Sequence, residues 1–184
     1  MIDRRTVLGA GLAMFAATRA EASAHAFSFE GIEGGAINLG EYRGKLVMVV
    51  NTASRCGFTG QYAGLQSLWT RYRARGLTIV GVPANDFAGQ EPGSNEDILG
   101  FCSSRFGVTF PLAAKTSVIG AEAHPFYRWA AGERPSDTPR WNFHKYLIGR
   151  DGRIAAVFPT SVEPTDPRVI TSIERALIGG GGAS

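Results

Sequence analysis

One strand–helix–strand pattern limits the architecture this chain can reach. Leu46–Val50 is a continuous apolar run, mostly β-branched, and reads as a buried central strand. Leu77–Val82 reads as a second strand. Between them Tyr62, Leu65, Leu68, Trp69 and Tyr72 recur at helical spacing, and Gly76 stands where that helix would stop. Such an order predicts a parallel strand pair joined by a crossover helix.

The flanks fit around this unit. Phe27–Leu39 carries short alternating apolar stretches broken by Gly34-Gly35, which predicts an N-terminal hairpin. Ser94, with Asp97 three residues on, opens a helix whose Ile98, Phe101, Cys102 and Phe106 share one face. Val108–Leu112 reads as a short strand or connector, and residues near His124 to Ala131 as a short helix. Tyr146–Ile148 and Ile154–Phe158 flank Asp151-Gly152, a hairpin turn signal, and Ile170, Ile173 and Leu177 mark a last amphipathic helix. The expected class is α/β: a thioredoxin-like sandwich with a central mixed sheet flanked by helices and preceded by a hairpin. With 184 residues, 44% of them hydrophobic, the chain supports one domain and not two. The expected organisation is a signal peptide over 1–26, the domain over 27–178 and a flexible Gly-rich tail over 179–184.

The first 26 residues read as an address. Arg4-Arg5 precede a short apolar run, Val7–Ala17. A membrane span needs about 20 such residues, so no stable membrane anchor is expected. Ala20-Glu21-Ala22, Ala22-Ser23-Ala24 and Ala24-His25-Ala26 each fit a small-x-small cleavage pattern. The expectation is export, to a bacterial periplasm, with a mature N-terminus between Ser23 and Phe27. The paired arginines fit a twin-arginine signal, with an ordinary secretory signal as the alternative. The net charge is +3, with no cluster of basic and aromatic residues, so no nucleic-acid footprint is present. None of His25, His124 and His144 stands at metal-ligand spacing with a cysteine, and neither metal nor cofactor is expected.

There are two cysteines, Cys56 and Cys102. Taken alone they are a structural bridge, a catalytic pair or unrelated buried thiols. Cys56 lies after the first buried strand and before a helix, where sites gather in α/β sheets. Unpaired N–H groups and the positive end of the helix favour a thiolate there. The alternative is a small buried hydrophobe, against which Gly57 and the polar loop argue for partial exposure. A disulfide-exchange motif would need a second cysteine at position 59, which is Thr59.

Asn51-Thr52-Ala53-Ser54-Arg55-Cys56-Gly57-Phe58-Thr59 resembles the active-site segment of glutathione peroxidases, with cysteine where some members carry selenocysteine. Asn85-Asp86-Phe87-Ala88-Gly89-Gln90-Glu91-Pro92-Gly93 is similar to their second motif and Trp141-Asn142-Phe143 to their third. Phe101-Cys102 and Gly107-Val108-Thr109-Phe110-Pro111 match as well, so the resemblance runs from about Phe27 to Leu177. Asp86 stands where a glutamine is frequent, and Ala84 where a cysteine can occur.

The resemblance implies a thiol peroxidase that reduces hydrogen peroxide or organic and lipid hydroperoxides and serves the response to oxidative stress. It implies a catalytic set of Cys56, Gln90, Trp141 and Asn142: a thiolate that attacks one peroxide oxygen, and three neutral N–H donors around it. It also implies that Cys102 is the resolving thiol; the plainer reading is that Cys102 packs on its helix face. The short segment from Ala131 to Trp141 lacks an insertion typical of glutathione-using tetramers, which implies a monomer reduced by a thioredoxin-like donor, or by glutathione. The alternative from another class is a peroxide-sensing relay protein without significant turnover.

Overall fold

A computed structural model describes residues 23–179, so the charged start and apolar run of the expected signal lie outside the described residues. The predicted strand–helix–strand unit is present. Strand β3 (Leu46–Thr52) runs parallel to β4 (Leu77–Pro83) in the register Leu46↔Leu77 to Thr52↔Pro83, joined through helix α1 (Gln61–Tyr72). Every residue of both strands is buried, as the unbroken apolar runs require. A short 3-10 turn, Arg73–Arg75, extends α1 until Gly76, whose φ of 101° only glycine adopts freely, turns the chain into β4.

Two antiparallel strands complete the sheet. β5 (Lys145–Ile148) pairs with the free edge of β3, and β6 (Ile154–Phe158) pairs with β5, giving the order β4-β3-β5-β6. This mixed sheet is the thioredoxin-like arrangement expected. The N-terminal hairpin is a separate ribbon of β1 (Ser28–Glu30) and β2 (Ala36–Asn38). The Val108–Leu112 segment and Ala113 after it make only isolated bridges, with Gly81 facing Leu112 and Gly31 facing Ala113.

Both faces of the sheet are covered, by different layers. Leu46, Met48, Val50, Leu77 and Ile79 point to a core shared with Leu65, Leu68 and Tyr72 of α1, with Ile98 and Cys102 of α2 (Asn95–Phe106), and with Val169 and Ile173 of α4 (Pro167–Ile178). Val47, Val49, Val80 and Val82 point the other way, onto Phe29, Leu39 and α3 (Pro125–Glu133). The capping box at Ser94 forms in both directions: Asp97 N–H donates to Ser94 Oγ, and Ser94 N–H donates to Asp97 Oδ2.

The folded body includes residues before Phe27. Ala24–Ala26 forms a 3-10 turn in which Ala24 and His25 are buried. Ala24 N–H donates to Gly152 O at 2.9 Å, and the His25 ring lies so close to Gly152 that a Cβ there would meet its Nδ1 at 2.7 Å. At the other end α4 runs to Ile178, and the tail beyond Gly179 lies outside the described residues.

Candidate active site

Three loops at the carboxyl ends of β3 and β4 and ahead of β5 converge. The first, 53–60, is a chain of tight turns and not the start of a regular helix. Thr59 N–H donates to Cys56 O at 3.0 Å, Gln61 N–H to Phe58 O at 2.9 Å and Tyr62 N–H to Thr59 O at 3.1 Å. The helix proper starts five residues after Cys56, so the cysteine is not placed on a helix terminus. Its positive environment is a single backbone group: Phe58 N–H donates to Cys56 Sγ at 3.4 Å. Thr59 completes the turn, its Oγ1 accepting from Cys56 N–H at 3.0 Å and lying 2.7 Å from Cys56 O.

Cys56 is only 8% exposed, which corrects the partial exposure expected from the polar loop. Arg55, Gly57 and Phe58 around it are exposed while Ala53 beneath is buried, so the loop folds its one thiol inward. Cys56 still lines an open cleft, with Ser54, Thr59 and Gly60 on one wall and Phe101, Ser104, Arg105 and Phe106 of α2 on the other.

The second loop carries Gln90. Arg55 N–H donates to Gln90 O at 3.0 Å, tying the second loop to the first. Asp86 anchors the same loop from outside, accepting from Ser117 Oγ at 2.6 Å and Val118 N–H at 2.9 Å. The departure from the family pattern at Asp86 is thus a structural anchor. Ala88 and Gly89 both take positive φ, 55° and 63°, to bring Gln90 round.

The third loop carries Trp141 and Asn142. Asn142 Nδ2 donates to Gln90 Oε1 at 2.9 Å, so the two carboxamides form a pair and the Gln90 NH₂ is left free to donate elsewhere. Trp141 packs on Phe87, ring centroids 5.9 Å apart, and against the core cluster that contains Cys56. Among the described residues, the hydrogen bond to Cys56 Sγ comes from Phe58 alone. None of Gln90, Trp141 and Asn142 bonds to it: Gln90 is tied to the Cys56 loop through Arg55 N–H, Asn142 to Gln90, and Trp141 packs on the cluster that contains Cys56. Cys102 sits mid-α2, fully buried in the same cluster, and both thiols are free. Burial pushes the Cys102 thiol up to about 11, with the Glu91 charge adding and the Tyr62 hydroxyl opposing.

Two buried polar residues outside the implied catalytic set hold the third loop in place. Asn51, fully buried at the end of β3, donates from Nδ2 to Trp141 O at 3.1 Å, accepts from His144 N–H at 3.1 Å, and its backbone carbonyl accepts from Phe143 N–H at 2.6 Å. Lys145, also fully buried, donates from Nζ to Phe143 O at 2.6 Å and Val162 O at 2.8 Å. Between these clamps Phe143 sits at φ 62°, a left-handed conformation that an aromatic residue keeps only when its surroundings impose it. A polar residue near the end of an apolar strand run was the available signal for Asn51, whereas Lys145, which opens β5, offered none. No group of three or more His, Cys, Asp or Glu able to hold a metal ion occurs among the described residues.

A lone cysteine on the strand-to-helix turn of a thioredoxin-like sandwich, beside a bonded carboxamide pair and an indole, defines the class as a thiol peroxidase. The glutathione peroxidase family model matches residues 24–131. A hydroperoxy fatty acid reductase from Synechocystis is 38% identical over 162 residues, 83% of this chain and 95% of that protein. The crystal structure of Trgpx in its apo form superposes with a TM-score of 0.70 at 33% identity, covering 85% of this chain and 96% of that one. A thioredoxin-family thiol:disulfide interchange protein from Chlorobium tepidum shares the fold, with a TM-score of 0.62 at 18% identity over 82% of this chain and 92% of that one. The chain belongs to the glutathione peroxidase family and is a peroxidase of the oxidoreductase class.

Proposed function

We propose that Cys56 is the peroxidatic residue, that Gln90, Trp141 and Asn142 serve it as neutral donors, and that Cys102 resolves the oxidised form. The observation that carries this reading is the site of Cys56 Sγ: on an open cleft, with a backbone N–H directed at it, beside the loops whose carboxamides are already paired. The thiolate attacks one peroxide oxygen, the O–O bond breaks, and the leaving oxygen takes a proton to become water or an alcohol. Cys56 becomes a sulfenic acid. The free NH₂ of Gln90, oriented by Asn142, and the indole N–H of Trp141 stabilise negative charge without titrating.

Cys102 then attacks the sulfenic sulfur, forming a disulfide and releasing water. The Cα atoms must come within about 7 Å for that bond, and we infer that the turn of α2 carrying Cys102 loosens to bring them together. This helix is suited to it: of its twelve residues only Ile98 and Cys102 are buried, and Gly100 weakens its middle. A thioredoxin-like dithiol, or glutathione, returns the protein to its reduced state. Phe101 and Phe106 on the cleft wall suit organic and lipid hydroperoxides as well as hydrogen peroxide. The Synechocystis relative named for hydroperoxy fatty acids supports the same substrate class. The deciding experiment measures peroxide reduction with hydrogen peroxide and a fatty-acid hydroperoxide, each with a thioredoxin-like donor and with glutathione. Oxidation of Cys56 without turnover under any of these pairings would overturn the enzyme reading in favour of a sensor.

The proposed setting is the periplasm, where the protein acts as a monomer against oxidative stress. Cleavage after Ala22 is favoured among the three signal sites, because cutting after Ala24 or Ala26 would remove the packed Ala24 contact to Gly152. N-terminal sequencing of a periplasmic fraction should give Ser23 first; a protein retained in the cytoplasm with Met1 intact would reject export.

A further inference from the structure

The net charge of +3 is small, but the fold does not spread it evenly. Cations far apart in sequence meet at the end of the sheet opposite Cys56. Lys45 precedes β3, and Arg73 and Arg75 precede β4; between them Leu46 N–H donates to Gly76 O at 2.9 Å. Arg150 and Arg153 sit in the β5–β6 turn, and Gly44, next to Arg43, donates from its N–H to Arg150 O at 3.2 Å. Arg43, Lys45, Arg73, Arg75 and Arg153 are all exposed. The acids at this end do not balance them. Glu174 is already held by Arg75 at 2.6 Å, and Glu133 is offset by its neighbour Arg134, whose guanidinium donates to Ile154 O at 3.3 Å. Glu41 and Asp151 are what remains.

Two further features belong to the same end. Arg150 Nη2 donates to Leu177 O at 2.9 Å, which fixes the last turn of α4 there. Ile178, the next residue, is 76% exposed, the most exposed large hydrophobic side chain among the described residues. Ala24 N–H donates to Gly152 O at 2.9 Å, so the chain also enters the folded body here. Residues 1–22, with the apolar run Val7–Ala17, therefore join the body at its basic end. The length of β3, about 20 Å at the rise of a strand, lies between this end and the Cys56 loop. Around Cys56 the exposed charges are mixed, Arg55 and Arg105 being answered by Glu96 and Asp97 of α2.

We propose that the basic end is a docking surface for an anionic phospholipid membrane, with Ile178 entering the headgroup layer and the Cys56 cleft facing away from it. Guanidinium and ammonium groups suit phosphate headgroups, and each lysine or arginine near such a surface strengthens binding about five-fold. A bare aliphatic tip among basic residues gains from the boundary between headgroups and acyl chains. An acidic protein would match the charge but not that tip. The leader argues the same way: when its apolar run meets a membrane, the basic end is the end it brings there. Docking of this kind is reversible, since it rests on surface charge and one side chain. It leaves the cleft open to peroxide and to a dithiol donor in the water above.

The test is co-sedimentation of the full chain with vesicles of phosphatidylcholine alone and of phosphatidylcholine mixed equally with phosphatidylglycerol. Binding should be confined to the mixed vesicles. It should fall steeply as ionic strength rises from about 0.1 M to about 1 M, where the screening length shrinks from ~10 Å to ~3 Å. Lys45→Gln combined with Arg73→Gln should weaken binding about 25-fold, at about five-fold per cation. Neither side chain makes a hydrogen bond among the described residues, so hydrogen peroxide turnover in solution should match the parent. Ile178→Ser should weaken binding about ten-fold. Turnover of hydrogen peroxide should be the same on vesicles as off them. Equal binding to both kinds of vesicle overturns the proposal, because the apolar leader is then the cause. Absence of binding to the mixed vesicles overturns it in favour of an acidic protein as the occupant. Unchanged binding in the double variant, or turnover lost on vesicles, overturns it as well, since another face then meets the lipid.

Discussion

The two cysteines share one hydrophobic cluster, yet the structure treats them in opposite ways. Cys56 is 8% exposed and Cys102 is 0% exposed, a small difference by area. Cys56, however, stands on a loop of successive turns, faces an open cleft and receives a backbone N–H on its sulfur. Cys102 stands in the middle of a regular helix among apolar side chains, where burial opposes its ionisation. Burial alone does not rank the reactivity of two thiols. What separates them is which backbone presents them, and whether the sulfur faces an open cleft.

The contrast breaks most completely at the nucleophile. Cys56→Ser should bring peroxide consumption to background while circular dichroism stays unchanged, since serine fills the same space but is a far poorer nucleophile. Measurable turnover in that variant would move the chemistry elsewhere. Cys102→Ser should consume one equivalent of peroxide in a single turnover, then stall as a sulfenic acid or over-oxidise when a thioredoxin-like protein is the only donor. Wild-type steady-state rates in Cys102→Ser would make that thiol purely structural.

The donors around Cys56 sharpen the same comparison. Asn142→Ala unties the carboxamide of Gln90, and loss of an oriented donor should slow sulfenic acid formation by roughly 10²-fold. Resolution by Cys102, measured with it in one rapid-mix experiment, should change far less. Lys145→Met strips the Phe143 and Val162 carbonyls of their donor. Leaving buried acceptors unsatisfied costs about 1–3 kcal/mol, readable as a lower urea midpoint. Burial brings Lys145 down to about 7 from 10.5. The native chain then holds fewer protons than the unfolded one between those values, and stability should rise with pH across that window. The Met variant should lose that slope.

The smallest effect expected is at His144. Burial, followed by the charge of Lys145, pushes this ring down to about 4 from 6.5. A group with a lowered folded pKa contributes stability that is present above about pH 6.5 and lost as pH falls through about 4. Urea midpoints measured over that range should decline less steeply in His144→Gln than in the parent.

Local patterns carried much of this fold. The β3–α1–β4 unit, the hairpin at Gly34-Gly35, the Ser94 cap and the turn at Asp151-Gly152 all rest on residues close together in sequence, and each stands where its pattern placed it. The clamp on the third loop had no such pattern. Asn51 meets Trp141 and His144 across some ninety positions, and Lys145 reads as an exposed strand residue until its carbonyl partners are known. The irregular turns from Ala53 to Gly60 likewise depend on Thr59 closing back on Cys56 and Ala53. The family motifs therefore marked which residues gather at the site. The buried polar residues that hold them became visible only in three dimensions.

The strand order β4-β3-β5-β6 also bears on how the chain behaves while it is being made. β3 and β4 with α1 can pair as soon as both strands leave the ribosome, but the other edge of β3 waits for Lys145–Ile148, almost a hundred residues later. Until then a row of unpaired backbone groups, flanked by Val47, Val49 and Val50, stands open to any extended neighbour. The interval between synthesis of β3 and arrival of β5 is thus the period of greatest exposure to aggregation, and a chaperone or a fast late hairpin closes it.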